Sequence, residues 1–367
     1  MIKKRLFVVF IVTFHMSIFT TISLAQSPRI RIHGQVIDSS NKTPLHFVNV
    51  FLANTTIGAA TDEQGRFSIV NVPLGTYELI ASMIGYELYT RQLELTTPEN
   101  IEYLIRLEPK PYEAPGLEVS APFPHEWRQN LKRFKREFLG NSKNASHCEI
   151  LNPEVLDFNL KLNTGTLKAL ASEPIQIENR DLGYLVHCHL MDYLSETDGN
   201  VRYVCKSRFE TITPEDDKEL NRWEENRLES YRGSHRHLFR SLFLGEAQKE
   251  GFRLSIVDFR GGREHLYSPT VSDYDLLSPI DTTNARELSF SKYLKIIYIR
   301  EEESREFNPS PTRAPRQTSW IRMDPSFNVM IDEQGYVSPS FAINTYGYLA
   351  WERFAETLPM DYTPEDN

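Results

Sequence analysis

The stretches His46-Phe47-Val48-Asn49-Val50-Phe51-Leu52, Arg66-Phe67-Ser68-Ile69-Val70 and Tyr77-Glu78-Leu79-Ile80-Ala81 decide the fold of the first part of this chain. In each, alternate side chains are apolar on at least one face, the period-two signature of a half-buried strand. The segments between them carry turn chemistry. Asp62-Glu63-Gln64-Gly65 supplies an acidic turn start and a glycine able to take positive φ, and Pro73-Leu74-Gly75 fixes one backbone angle and frees another. Short strands at this spacing predict a β-sandwich.

Working outward, the order and spacing become specific. Gly34-Gln35-Val36-Ile37-Asp38 is followed by Thr43-Pro44-Leu45, Val48-Asn49-Val50, Gly58, Thr61-Asp62-Glu63-Gln64-Gly65-Arg66-Phe67, Val72-Pro73-Leu74-Gly75-Thr76-Tyr77 and Ile84-Gly85-Tyr86. This series resembles the carboxypeptidase regulatory-like domain. The resemblance implies a transthyretin-like (prealbumin-like) sandwich of roughly seven strands that accompanies metallocarboxypeptidases without performing their chemistry. Similar copies precede TonB-dependent outer-membrane receptors in Bacteroidetes-type bacteria. The resemblance carries no activity with it. No histidine here has glutamate three positions later, and His125-Glu126 is followed by Trp127, Arg128 and Gln129 rather than by the spacing of a helical zinc protease. No cofactor and no metal ligand set is predicted.

On the N-terminal side, Lys3, Lys4 and Arg5 precede an apolar run from Leu6 to Phe19 that ends in Ser23-Leu24-Ala25. This pattern predicts a secretory signal peptide over residues 1–25, whose apolar run from Leu6 to Phe19 is shorter than the roughly 20 apolar residues of a bilayer span. Cleavage would leave 38 basic against 50 acidic side chains, a net charge of −12, which argues against a nucleic-acid partner. No later segment is apolar enough to span a membrane as a helix. The expected location is the periplasm or the outer-membrane surface. Cys148, Cys188 and Cys205 are too few for a disulfide framework; three buried thiols is the favoured reading, and pairing of Cys188 with Cys205 on neighbouring strands is the alternative.

On the C-terminal side, the sandwich is expected over 26–108 and a stiff proline-rich linker over 109–124 that holds the domains apart, with Leu117-Glu118-Val119 as a strand that could instead join the sandwich edge. An α+β domain with a mainly antiparallel sheet is expected over 125–360, then a tail over 361–367. Trp127, Leu131, Phe134 and Phe138 recur at helical spacing, with Gly140 as the stop. Strands are expected over 156–162, 167–178, 183–193, 200–212, 252–258, 288–299 and 327–331. One long helix, or two broken near Gly233, is expected over 216–243, and an amphipathic helix over 346–358. Phe138-Leu139-Gly140, Leu151-Asn152-Pro153, Leu182-Gly183-Tyr184 and Arg222-Trp223 make this half similar to an uncharacterised domain that follows the module in secreted Bacteroidetes proteins, which implies shared fold and no reaction.

Candidate sites are weak. Arg222, Trp223, Arg227, Tyr231 and Arg232 mix cations with rings on one helix, a candidate carbohydrate or anion surface, although Glu224, Glu225 and Glu229 stand ready as ion-pair partners. His187 and His189 share one strand face, while His235 and His237 diverge on a helix. Asp62 and Glu63 offer calcium ligands, but Gly65 accounts for the loop as a hairpin. Ser234 with His235 and Asp216 or Asp217 lacks a nucleophile-elbow pattern. The leading expectation is a non-catalytic envelope protein that binds or scaffolds a glycan, a peptide or an outer-membrane protein. An envelope hydrolase with a hidden site in the α+β domain and a structural role in envelope assembly are the alternatives.

Overall fold

The computed structural model describes residues 29–110, 124–161, 163–197, 199–280, 285–309 and 315–364. The predicted signal peptide, most of the linker with Leu117-Glu118-Val119, and the last three residues lie outside the described residues.

The first seven strands are β1 (Arg29–Asp38), β2 (Asn49–Leu52), β3 (Gly58–Ala60), β4 (Arg66–Pro73), β5 (Gly75–Ser82), β6 (Tyr89–Leu95) and β7 (Ile101–Leu107). They form two sheets, β4-β1-β7 and β3-β2-β5-β6, with β1 antiparallel to β4 and parallel to β7. Inward residues such as Ile32, Val50, Phe67, Ile69, Leu79, Leu93 and Ile105 fill the space between the sheets. This is the sandwich that the alternation predicts, with the seven strands that the resemblance implies. Gly34 shows why its position tolerates no side chain: a Cβ there would stand 1.8 Å from the Tyr103 carbonyl oxygen on β7. Gly65 takes φ +70° in the turn before β4, and Asp62 accepts from the amides of Gln64 and Arg66, so that loop is a side-chain-braced hairpin turn.

The next segment comprises α1 (His125–Phe138), α2 (Lys143–Ser146), β8 (Cys148–Ile150), β9 (Leu156–Lys161), β10 (Thr166–Ala171), β11 (Ile175–Asn179), β12 (Tyr184–Ser195) and β13 (Val201–Thr211). The sheet runs β8-β11-β12-β10-β9, and β13 lies along the other side of β12. Phe134 and Phe138 of α1 are fully buried against Tyr193 and Phe354, as the helical spacing predicts. The strand expected over 167–178 is two strands, because Ser172-Glu173-Pro174 interrupts it.

Helices α3 (Asp217–Tyr231) and α4 (His235–Leu244) come next, separated at Gly233 with φ +75°. The remainder is β14 (Phe252–Arg260), β15 (Arg263–Ser268), α5 (Asp273–Leu276), β16 (Leu277–Pro279), β17 (Ala285–Leu288), β18 (Tyr293–Glu302), β19 (Arg316–Met323), β20 (Val329–Asp332), β21 (Val337–Ser338), β22 (Ile343–Gly347) and α6 (Tyr348–Trp351). They build a five-stranded sheet, β15-β14-β18-β19-β22, and a four-stranded one, β16-β17-β20-β21. The second half therefore holds two cores, one under α1 and one under α4.

Two expectations are corrected. The amphipathic helix over 346–358 is instead the end of β22, the single turn α6 and a 3-10 turn. Gly347, at φ +80°, pairs with Ser319 of β19, and a Cβ there would stand 2.5 Å from the Thr318 carbonyl oxygen, so strand pairing claims the start of the segment. Leu349, Phe354 and Leu358 are buried all the same, so the apolar spacing reported burial rather than helix. The sandwich is also not held apart from the second half of the chain. The β2–β3 turn docks on β13: the Asn54 amide donates to the Ser207 carbonyl at 2.6 Å, and the Phe209 amide donates to the Thr55 carbonyl at 2.9 Å. Lys206 pairs with Glu78 at 2.6 Å, and the Met360 amide donates to the Asn54 carbonyl at 2.7 Å.

Candidate functional site: an aromatic sheet face

The five-stranded sheet has one covered and one open face. On the covered face Leu254, Ile256, Leu294, Ile296 and Ile321 pack with Leu238, Phe239 and Leu242 of α4 in one core. Alternation sends their neighbours the other way. Register then aligns them, because directly paired residues share a face. Ser255 opposes Lys295, Lys295 opposes Trp320, and Trp320 opposes Tyr346. In the adjoining row Leu266 opposes Val257 and Val257 opposes Tyr293, and Glu264 opposes Phe259.

The open face thus gathers Phe259, Tyr293, Trp320 and Tyr346. Phe259 meets Tyr293 edge-on at 5.1 Å and Trp320 at 6.3 Å, and Tyr293 lies 6.1 Å from Tyr346. Phe259 and Tyr346 are each 40% exposed and Leu266 62%, with Tyr293 and Trp320 half-buried between them, so the group opens to solvent at its edges. Glu264 fixes the tryptophan: one carboxylate oxygen accepts from the Trp320 indole nitrogen at 2.9 Å and the other from Lys295 Nζ at 2.7 Å. Lys295 also lies 5.7 Å from the Trp320 ring centre, and Arg322 lies 5.7 Å from that of Tyr293. Flat apolar rings flanked by oriented donors and acceptors suit a ligand with both apolar C–H faces and hydroxyls.

A cleft of about 520 Å³ adjoins this face between β22, α6 and the far end of the β12–β13 hairpin. Asn344 and Tyr346 belong to both, and Arg202, Tyr203, His235 and Glu352 line its walls. Burial, together with the negative charges of Glu356 and Glu301, raises Glu352 well above the ordinary carboxylate value. Burial lowers His235 to about 4, and its Nε2 lies 2.9 Å from Thr345 Oγ1.

The helix-borne candidates behave differently from the sequence expectation. Trp223, Arg227 and Tyr231 turn inward. The Trp223 indole donates to the Arg180 carbonyl at 2.8 Å, and Arg227 Nε donates to the Leu182 carbonyl at 2.7 Å while its guanidinium covers Tyr184 at 4.3 Å. Arg222 is exposed and paired with Glu219 at 3.0 Å, and Arg232 is exposed. The five therefore do not share one open surface; Trp223 and Arg227 clamp the turn before β12. Ser234 and Asp216 are helix N-caps, accepting from the amides of His237 and Glu219. Ser234 Oγ and Asp216 Oδ1 thus serve helix capping, in keeping with the missing nucleophile-elbow pattern.

His187 and His189 do share a face of β12. His187 Nε2 stands 3.5 Å from Glu210, and His189 stacks on Phe51 of the sandwich at 6.0 Å, which makes it part of the joint between the two halves. Burial lowers both, His189 to about 4. Among the described residues, no group of three or more His, Cys, Asp or Glu is arranged to hold a metal ion. The aromatic face itself was missed in the sequence. Its sequence signal is the second period-two register, Tyr293/Lys295 and Thr318/Trp320/Arg322, whose outward members share one side of the sheet.

Comparison with known proteins bears on the N-terminal sandwich. The family model of the CarboxypepD_reg-like domain matches residues 32–116. No curated protein matches the chain. Among solved structures, the pilus 2b backbone protein of group B streptococcus is similar at 18% identity over 22% of this chain and 41% of that one, with a TM-score of 0.20. A putative carbohydrate binding protein from Bacteroides uniformis is similar at 7% identity over 51% of this chain and all of that one, also with a TM-score of 0.20. Of three of the similar solved structures, the pilus protein among them, this chain spans 41%, 17% and 56% of the length. The turn residues and the seven strands from Arg29 to Leu107 agree with the family match, so the sandwich belongs to the CarboxypepD_reg-like domain.

Proposed function

We propose that this chain is a non-catalytic binding protein of the cell envelope whose C-terminal sheet face takes up glycan, with the docked sandwich as a rigid support. The observation that carries the reading is the open array of Phe259, Tyr293, Trp320 and Tyr346 with Glu264, Lys295 and Arg322 set among the rings. Sugar rings present apolar C–H faces that stack on such surfaces, and hydroxyls that bond to charged flanks. The predicted leader sequence over residues 1–25 supports export to the periplasm or outer-membrane surface. A peptide or a neighbouring outer-membrane protein is the other partner class that the exposed edges of the sheets suit.

The test is calorimetric titration of residues 26–367 with bacterial envelope oligosaccharides, alongside Trp320→Ala. Saturable binding that weakens about five- to thirtyfold in the variant, with the melting temperature retained, is expected for a ring that contributes on the order of 1–2 kcal/mol. Binding untouched by Trp320→Ala would move the site elsewhere. Steady turnover of the oligosaccharide would instead favour a hydrolase, with the cleft at Glu352 as the place to look.

A further inference from the structure

Cys188 and Cys205 stand on adjacent antiparallel strands. The register opposes Cys188 to Ser207 and Leu190 to Cys205, so the two cysteines are diagonal neighbours on one face of the β12–β13 ladder. Their sulfurs are 2.7 Å apart. Heavy atoms without a bond between them rest at about 3.5–4.0 Å even when both are carbon, and sulfur is larger. Both side chains belong to the core under α1, Cys188 fully buried and Cys205 partly so, in surroundings that offer a thiol little else to bond. Cys148 is placed apart. It opposes Asn179 on β11, which in turn opposes Tyr184 on β12, so it sits two strands and four residues along from Cys188.

We propose that Cys188 and Cys205 are a disulfide site, oxidised in the mature protein, and that Cys148 remains a thiol. The chemistry is thiol–disulfide exchange with a small or protein disulfide as oxidant. One cysteine thiolate attacks the oxidant and expels one thiolate. The second then attacks the protein sulfur of the mixed disulfide and expels the other. The two protein thiols lose two protons and two electrons, and the oxidant leaves as two thiols. Burial holds the Cys205 thiol well above its ordinary value, so the exchange belongs to the folding chain rather than to the closed core. The bond would close the 17-residue separation between the strands that carry the joint, since Lys206, Ser207 and Phe209 next to Cys205 are the residues that hold the sandwich. This inference stands apart from glycan binding.

The experiment unfolds the reduced wild-type chain, refolds it in a mixture of reduced and oxidised glutathione, and alkylates it before peptide mapping without reductant. The expected result is one linked pair of peptides containing Cys188 and Cys205, an alkylated Cys148, and one titratable thiol in denaturant where the reduced chain has three. Reduction should lower the melting temperature by several degrees. Cys148→Ala should keep the linked pair and lose the remaining thiol, and Cys205→Ala should abolish the link. Three titratable thiols after refolding, or a bridge that includes Cys148, would overturn the proposal.

Discussion

Asn54 grips Ser207 from both sides: its amide donates to the Ser207 carbonyl at 2.6 Å, and its side-chain oxygen accepts from the Ser207 amide at 3.1 Å. It does this with φ +60°, a region asparagine tolerates better than most residues. Its carbonyl also accepts from the Met360 amide, so one residue ties the sandwich to β13 and to the chain's last segment. Asn54→Ala removes the side-chain bond and leaves alanine in a left-handed conformation, at a cost of about 2–3 kcal/mol. Asn54→Gly relieves the backbone and loses only the side chain, so it should cost less. Urea denaturation of both variants checks the order; equal losses would mean that the backbone conformation plays no part.

The close approach of β1 and β7 gives a second expectation. With a Cβ at residue 34 only 1.8 Å from the Tyr103 oxygen, Gly34→Ala cannot be absorbed by a side-chain shift, because the obstacle is backbone. The parallel pairing must open, costing roughly 3 kcal/mol or more. Soluble yield and the melting temperature should fall sharply, and an unchanged transition would show that the two strands are farther apart.

Glu264 connects the stability and the use of the aromatic face. It accepts from both Trp320 and Lys295, yet it lies on exposed β15, where ion pairs contribute about 0–1 kcal/mol to folding. Glu264→Ala should therefore leave the melting temperature nearly unchanged. It should weaken glycan binding roughly three- to tenfold, because the indole is no longer held flat against its neighbours. A variant with full affinity would remove Glu264 from the site.

How much of this was legible in the sequence depends on which forces are local. The sandwich was readable because period-two alternation and the Asp62–Gly65 turn are set by neighbouring residues. Helix α1 was readable for the same reason, through Phe134 and Phe138. The joint was not readable, since Asn54 and Ser207 lie 153 positions apart and nothing local marks either as a contact. The aromatic face needed the register of four strands before Phe259, Tyr293, Trp320 and Tyr346 could be seen to share a side. The helix α3 mixture misled because composition does not say which way a ring faces: Trp223 and Tyr231 were needed inside.

His237 sets the sign of one pH dependence. Its side chain is buried, its Nδ1 accepts from the Gly233 amide at 3.1 Å, and its Nε2 lies 3.5 Å from Glu250. Burial is the largest influence and lowers it from 6.5 to about 4; Glu250 opposes the shift, and Arg300 and Arg232 add to it. Protonating Nδ1 would also turn an acceptor into a donor facing another N–H. An unfolded chain takes up this proton below about 6.5, and the folded chain does so only near 4. The stabilisation is therefore fully present above the unfolded value and is lost as pH falls through that window, at up to about 1.4 kcal/mol per pH unit for one group. His189 and His235, lowered to about 4 by burial, act with the same sign. Glu301, raised to about 7, and Glu352, raised well above its ordinary value, act with the opposite sign, so the check is on the ring itself: the His237 resonance should stay in its neutral position through about pH 5.5. A ring titrating near 6.5 in the folded protein would show that this imidazole is not held neutral.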